Sequence, residues 1–373
     1  GLDLDFLNNR LSFSGDYYRR YTTDMYTASV ALPAVYGTGS PKGNNAEMKT
    51  DGWELSLSWR DSFKLGGKPF DYSIKAMVWD SKSVITKYVN DTGSLGTVKG
   101  FIENGGSPSS YYVGMTVGEI WGYTVAGLFR DQADIDSSAI HDFVQASDKV
   151  TRPGQVKIAD LDGNGFIDPG NFAVDDHGDL RIIGNQSPRY RYGVNLSARW
   201  NGIGLSVFLQ GVGARDWYPG SDAGMFWGKY GRPFFALIPS IHNYTDDMYS
   251  AERNNWDTAY WPRMTTYQSN GTKNWTRLLE IPNTRYIQSA AYLRVKNIQL
   301  DYSFPKHICS AIRLQGLKIY VNAENLFTFT PLHKYAPNFD PEGLSYDSDF
   351  ASAADGYTYP ILKSVTVGVN ITF

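Results

Sequence analysis

Apolar and polar residues alternate with a period of two through much of this chain. In its last ten residues, SVTVGVNITF, one face collects Val365, Val367, Val369, Ile371 and Phe373, and the other Ser364, Thr366, Gly368, Asn370 and Thr372. Strand side chains point alternately to opposite faces, so the pattern predicts a strand with one apolar and one polar surface. The same alternation marks residues 2–6, 11–17, 53–60, 70–78, 190–200, 203–209, 293–304 and 317–323, which makes nine strands in all. Within 293–304 the apolar phase shifts between Val295 and Ile298, as a bulge near Asn297 would require.

The connections between these strands alternate in length. Short ones fall at Asn8-Asn9, 63–67, 201–202 and 305–311; long ones fall at 27–49, 89–187, 219–283 and 331–356. A soluble sandwich has no reason to sort its loops by end, whereas outer-membrane barrels carry short turns on one rim and long loops on the other. The competing architecture, a secreted all-β protein of one or two sandwiches, explains the alternation but not this rhythm. The expected fold is therefore all-β: a transmembrane antiparallel β-barrel with long extracellular loops. The strand within residues 10–26 exceeds the roughly 9–11 residues needed to cross a bilayer, so its upper part should project outside. Val367, Val369 and Ile371 would face hydrocarbon and Phe373 an interfacial aromatic belt. Single-chain bacterial barrels have an even strand count, so further strands are expected from residues preceding Gly1. The chain opens on GLDLDF without an initiator Met or a signal segment, and reads as a piece of a longer protein.

Composition fits. Of 373 residues 15% are aromatic, with 26 Tyr and 10 Trp, which favours strands over helices. No apolar run approaches the roughly 18 residues of a membrane helix. The net charge of −3 leaves no broad basic field for nucleic acid, and the single Cys309 excludes an internal disulfide framework or a cysteine zinc cluster. The five His residues lack ligand spacing, and neither an HExxH nor a GxSxG motif occurs. GTGSPKG (37–43) lacks phosphate-loop spacing. An enzyme is not expected.

Two stretches carry candidate chemistry. DLDGNGFID (160–168) follows the first nine positions of a calcium loop: Asp160, Asp162 and Asn164 at alternate places, Gly165 at the sharp turn, Phe166 offering its carbonyl, then Asp168. Position twelve is Asn171 rather than an acid, leaving Asp175, Asp176 or Asp179 to complete a set of hard oxygen ligands suited to a structural Ca2+. A solvated Asx-rich turn without an ion fits the same residues. The second stretch, WYPGSDAGMFWGKYGRPFF (217–235), offers Trp217, Tyr218, Phe226, Trp227 and Tyr230 as rings that could stack on a ligand, or that could pack the loops together.

The segment PGQVKIADLDGNGFID and the following DLRIIGNQSPRYRYGVNLSARWNGIGLSVFLQGVGARD resemble the signature run of SusC-like TonB-dependent transporters of the Bacteroidetes outer membrane. YLRVKNIQLDYSFP (292–305), IYVNAENLFTFT (319–330) and FDPE (339–342) resemble the same family, in the same order. The acid preceding IIG in that family stands close to the acidic loop; here Asp179 holds its place about eight residues late. The resemblance implies that residues 1–373 form the C-terminal part of a 22-stranded barrel, about nine strands of it, with 89–187 a large extracellular loop. The plug and N-terminal extension would lie upstream. It further implies an importer of oligosaccharides or peptides in the outer membrane, energised by TonB through the upstream region. A SusD-like lipoprotein would form the lid, and SusC–SusD pairs would dimerise. Oligosaccharide is the favoured cargo because the family more often serves glycans. The alternatives are a peptide importer, a passive porin-like channel and a soluble calcium-dependent lectin.

Overall fold

The computed structural model describes residues 1–29, 35, 37–39, 41–96, 108, 110–141, 151–219, 226, 247–263, 281–344 and 361–373. Nine strands form one antiparallel sheet in chain order: β1 (Leu2–Phe6), β2 (Leu11–Ala28), β3 (Lys42–Leu65), β4 (Lys68–Lys87), β5 (Arg189–Trp200), β6 (Ile203–Ala214), β7 (Tyr292–Ser303), β8 (Gly316–Phe329) and β9 (Ser364–Thr372). These are the nine segments the alternation marks. β1 and β9 are the two edges of this arc. Among the described residues no helix is long and apolar enough to cross a membrane.

Register explains why each strand keeps its alternation. One row of directly paired residues crosses all nine strands as Phe6, Leu11, Trp59, Ile74, Leu196, Val207, Ile298, Ala323 and Val365. The row beside it, on the opposite face, runs Arg60, Ser73, Ser197, Ser206, Gln299, Asn322 and Thr366. A one-residue slip would bring polar residues of the neighbouring row, such as Arg60, Ser197 or Gln299, into the apolar row, which fixes the register strongly. The apolar face is also bare: Val367 is 73% exposed and Phe373 82%. So large an uncovered apolar surface needs a nonaqueous neighbour.

Aromatic rows border that face. Phe63, Phe70, Trp200 and Tyr302 lie in one paired row near the short turns, and Tyr17 pairs with Trp53 toward the long loops. Ten residues separate Trp53 from Phe63, about 33 Å of strand. At a tilt of about 45° this spans roughly 23 Å, close to the apolar band of an outer-membrane barrel. β2 and β3 continue well beyond the upper row, as expected of strands longer than the bilayer requires.

The short turns are built for reversal. Asn201 (φ 49°) and Gly202 (φ 87°) both adopt left-handed backbone, matching a two-residue hairpin of the sheet's own twist. The β7–β8 connection contains a short helix, α1 (Lys306–Ala311), which buries Cys309. The bulge expected near Asn297 is present: pairing shifts between Val295 and Asn297, leaving Lys296 out of register with β8. On the polar face, Arg60, Asp71, Arg199, Asp301 and Lys318 line a hollow of about 760 Å³ near the short-turn end.

The buried core lies elsewhere. Leu95, Trp121, Tyr123, Ile167, Leu180, Trp217, Tyr218, Trp261, Tyr286 and Phe339 pack as one cluster contributed by the long connections. Three small antiparallel pairs organise it: Glu119–Tyr123 with Leu180–Asn185, Val125–Leu128 with Val156–Ile158, and Asp216–Trp217 with Gln288–Ser289. The described parts of the long connections thus form a folded cap on one rim.

Candidate cation site and loop cap

The acidic turn leaves the strand Val156–Ile158 and returns at Leu180–Asn185. Asp160 closes it from inside. One carboxylate oxygen accepts from the Gly163 amide (2.7 Å) and the other from Gly165 (2.9 Å). Gly165 has φ 84°, a left-handed position that a side chain would strain. Asp162 accepts from the Asn164 amide at 3.0 Å, and the Asn164 side-chain oxygen accepts from the Phe166 amide at 2.7 Å. The Phe166 ring is half exposed, whereas the Ile167 side chain is buried in the cap. Ile167 and Ile140 exchange backbone bonds with this turn (Ile140 N to Gly165 O, Ile167 N to Ile140 O, both 2.8 Å), which pins it to the segment before it.

Asp179 is the acid that meets the turn. It is fully buried, accepting from the Leu161 amide at 2.6 Å and the Asp168 amide at 3.1 Å. Carboxylate oxygens of Asp160, Asp162 and Asp179 come within 4.8 Å of one another. Asp175 and Asp176 are not in this cluster; Asp176 instead accepts from the Asn171 side chain. The ten residues 169–178 therefore loop out and bring Asp179 back beside Asp160 and Asp162.

The electrostatics of the cluster favour a cation. Burial, reinforced by the charges of Asp162 and Asp160, pushes the Asp179 carboxyl above its usual range. Asp160 is held below the usual range, chiefly by the amide of Gly165. The signs are opposite. The stabilisation linked to Asp179 is complete at low pH and is lost as pH rises through its raised pKa; that linked to Asp160 is lost as pH falls. Three acidic side chains thus share a small space, one of them wholly buried. The nearby Tyr123 phenol is driven well above its ordinary value by burial and then by the charges of Asp179 and Asp168, so it stays neutral.

His141 braces the same region. Its Nε2 accepts from the Ile158 amide at 3.0 Å while Nδ1 faces the Ala139 carbonyl at 2.7 Å, a pairing that requires the neutral ring with the proton on Nδ1. Burial holds its pKa down.

The aromatic residues divide differently from the ligand-contact expectation. Trp217, Tyr218 and Phe226 have no exposed surface and pack inside the cap, with Trp217 against Phe339 (4.8 Å between centroids) and Phe226 against Trp261 (5.1 Å). The Tyr218 hydroxyl donates to the Ile281 carbonyl and accepts from the Asn283 side-chain Nδ2. Rings so enclosed have no free face on which a ligand could stack in this arrangement, and the packing alternative describes them. Trp227 and Tyr230 lie outside the described residues.

One cluster had no counterpart in the sequence reading. Arg294 on β7 is 3% exposed and donates to Thr328 (2.9 Å), Glu342 (2.7 Å) and Asp340 (2.6 Å). Lys296, the bulged residue, also reaches Glu342, at 2.8 Å. Arg215 donates to the carbonyls of Pro341 and Leu344. The FDPE segment, residues 339–342, is thereby strapped to the inner wall of the sheet. The only signal in the sequence is the pair of acids in FDPE itself.

No family model matches the chain. TonB-dependent receptor P3 of Formosa agariphila is 26% identical over 381 residues, covering 100% of this chain and 33% of that protein. TonB-dependent receptor SusC of Bacteroides thetaiotaomicron is 23% identical over 379 residues, covering 100% of this chain and 31% of that protein. The chain spans about a third of the length of the curated relatives it matches. Among solved structures, the RagAB peptide transporter superposes over 100% of this chain and 34% of its own, with a TM-score of 0.61 at 18% identity. The RagAB peptide importer in its closed-closed state gives 0.63 at 19% identity over the same shares. At such identity these likenesses establish the fold.

Proposed function

We propose, from the premise that this chain corresponds to the C-terminal barrel portion of a SusC-like TonB-dependent receptor, that the whole protein is an active importer of nutrient oligomers across the outer membrane. The observation that carries this reading is the apolar row crossing all nine strands beneath a folded cap. That row needs lipid outside it, and the cap gives the outer rim a structured surface for a cargo and a lid. The work is binding and gating rather than covalent chemistry. A plug contributed by upstream residues would seat against the polar wall, and energy would come through TonB. A SusD-like lipoprotein would close over the cap.

Oligosaccharides are the cargo that the family resemblance favours. A specific observation favours peptides as the second reading: the solved structures of like fold are described as a peptide transporter and importer. A passive channel is the third. Growth of a deletion strain complemented with the full-length protein, on defined oligosaccharides or peptides as sole source, separates the first two. The proposal expects uptake to vanish when TonB coupling is removed; uptake that persists would establish the passive channel.

The acidic turn completes the proposal as a structural Ca2+ site. Asp160, Asp162 and Asp179 would supply carboxylates, with Asn164, the Phe166 carbonyl and Asp168 close by in the turn. The ion's task is to order residues 160–179, and with them the cap surface that meets the lid. It takes no part in cargo chemistry. Calcium titration of the full-length protein should show binding that Asp160→Ala with Asp162→Ala removes; binding unaltered in that variant would reject the site.

A further inference from the structure

The outward face of the sheet does not end at its upper aromatic row. One pleat above the pair Tyr17–Trp53, the directly paired residues are Arg19, Asp51 and Lys82; one pleat higher they are Tyr21, Lys49 and Val84. No register shift intervenes between these rows and the apolar face below, so their side chains point the same way as Leu55 and Leu57. Asp51 is ringed by cations: Arg19 Nε lies 2.5 Å from it and Lys49 Nζ 3.3 Å, with Lys82 its neighbour across β4. One carboxylate among three cations leaves a surplus of positive charge. Tyr17 and Tyr21, each 64% exposed, stand on either side of Arg19, and the Tyr17 hydroxyl donates to Asp51.

Height decides what this patch meets. Two residues along a tilted strand rise about 5 Å, which places Arg19, Asp51 and Lys82 just above the girdle, at the depth of lipid headgroups. A cargo inside the barrel cannot reach side chains on the outer wall. A lid on the rim is also remote, because β3 continues another seven residues from Lys49 to Lys42, roughly 16 Å higher at the same tilt. The neighbouring acid Asp80 is matched by Arg189, which holds it with two bonds of 2.6 and 2.5 Å, so that pair is neutral as a whole.

We propose that Arg19, Lys49 and Lys82 form a site for the phosphate of an anionic outer-leaflet lipid, flanked by Tyr17 and Tyr21 at the level of the headgroup. The ligand class is a phosphorylated lipid with its acyl chains lying against Leu55, Leu57 and the apolar row. The inference rests on the membrane-barrel reading above but not on the cargo or the lid. Each cation near an anionic lipid surface is worth roughly fivefold in affinity, so the surplus of two charges left after Asp51 contributes about 25-fold.

The test uses the full-length protein in mild detergent, titrated with phosphatidylglycerol or phosphatidylcholine of matched chains and read by native mass spectrometry. The expected result is preferential binding of phosphatidylglycerol. That preference should fall at least tenfold in Arg19→Gln/Lys49→Gln/Lys82→Gln and should rise in Asp51→Asn, which adds net positive charge. Equal binding of both lipids by the unaltered protein, or an undiminished preference in the triple variant, would overturn the site. Displacement of the lipid by excess inorganic phosphate would overturn it in favour of a free-anion site. Heat-modifiable gel mobility of each variant reports the barrel separately, so loss of the lipid preference with mobility intact is a failure of this site alone.

Discussion

Arg294→Met should release the FDPE strap without unfolding the sheet. Arg294 is almost wholly buried and holds two carboxylates, and deleting one partner of a buried pair ordinarily costs about 3–5 kcal/mol. Two features of this cluster reduce the cost. Glu342 keeps Lys296, which contacts both of its oxygens at 2.8 and 2.9 Å, and Asp340 keeps the Glu342 amide at 2.9 Å. The carboxylates are also partly hydrated, with side-chain exposures of 15% and 26%. We therefore expect about 2–3 kcal/mol, at or just below the bottom of that range once these partners are kept. That corresponds to a roughly 30- to 150-fold loss of protection against hydrogen exchange for the amides of 332–344, such as Ala336, which bonds to Leu332 at 2.9 Å. Lys296→Met is the control. It leaves Arg294 on both acids and should cost under about 1 kcal/mol, because its cation is the more exposed one and Glu342 stays paired. Equal effects from the two substitutions, or less than a threefold change for Arg294→Met, would show that the strap is held by packing instead.

Three more outcomes follow from the loop cap and the acidic turn. Calcium should stabilise the cap more at neutral pH than near pH 4, because the ion needs ionised Asp179 and that carboxyl titrates above its usual range; thermal shifts with and without a chelator across this window check it, and a pH-independent shift would count against the site. Asp179→Asn should weaken the calcium-dependent thermal shift and reduce its pH dependence, since the one buried carboxyl in the cluster is then gone; an unchanged profile would count against its role. Trp261→Ala, which removes a ring packed on Phe226, Tyr260 and Tyr286, should cost the cap about 3–5 kcal/mol and expose 247–263 to protease while heat-modifiable mobility of the barrel stays unchanged.

The sheet was legible in the sequence because each of its strands keeps one face toward each of two unlike environments. Ile298, Leu300 and Tyr302 could not have kept their phase with Leu293 and Val295 without the bulge, so even that irregularity left a trace. The loop rhythm was legible for the same reason: the rims differ in chemistry, and short turns such as Asn201-Gly202 carry their own backbone signature. The cap was not. Trp217 and Phe226 as an exposed ligand platform or as a buried core have the same composition, and only the folded connections decide between them. Asp179 was one of three acids at similar separation, and its selection depends on how residues 169–178 loop out, which spacing does not encode. Arg294 reads as an ordinary polar-face residue of an alternating strand; its partners lie 46 and 48 residues later, beyond any local pattern.

The central claim is that the row through Leu196 touches lipid while the row through Ser197 faces an aqueous interior. Leu196 sits four residues from Trp200 and four from Tyr192, at mid-depth of the band. Spin labels placed singly at Leu196→Cys and Ser197→Cys, with Cys309 and every other native cysteine replaced by Ser, in the full-length protein reconstituted in bilayers, read this directly through relaxation by oxygen, which concentrates in lipid, and by a water-soluble nickel chelate. The label at 196 should respond to oxygen and be shielded from nickel, with weaker oxygen response at 197. Equal accessibility of both labels to nickel, or shielding of 196 from both reagents as in a dry sandwich core, would contradict the membrane barrel.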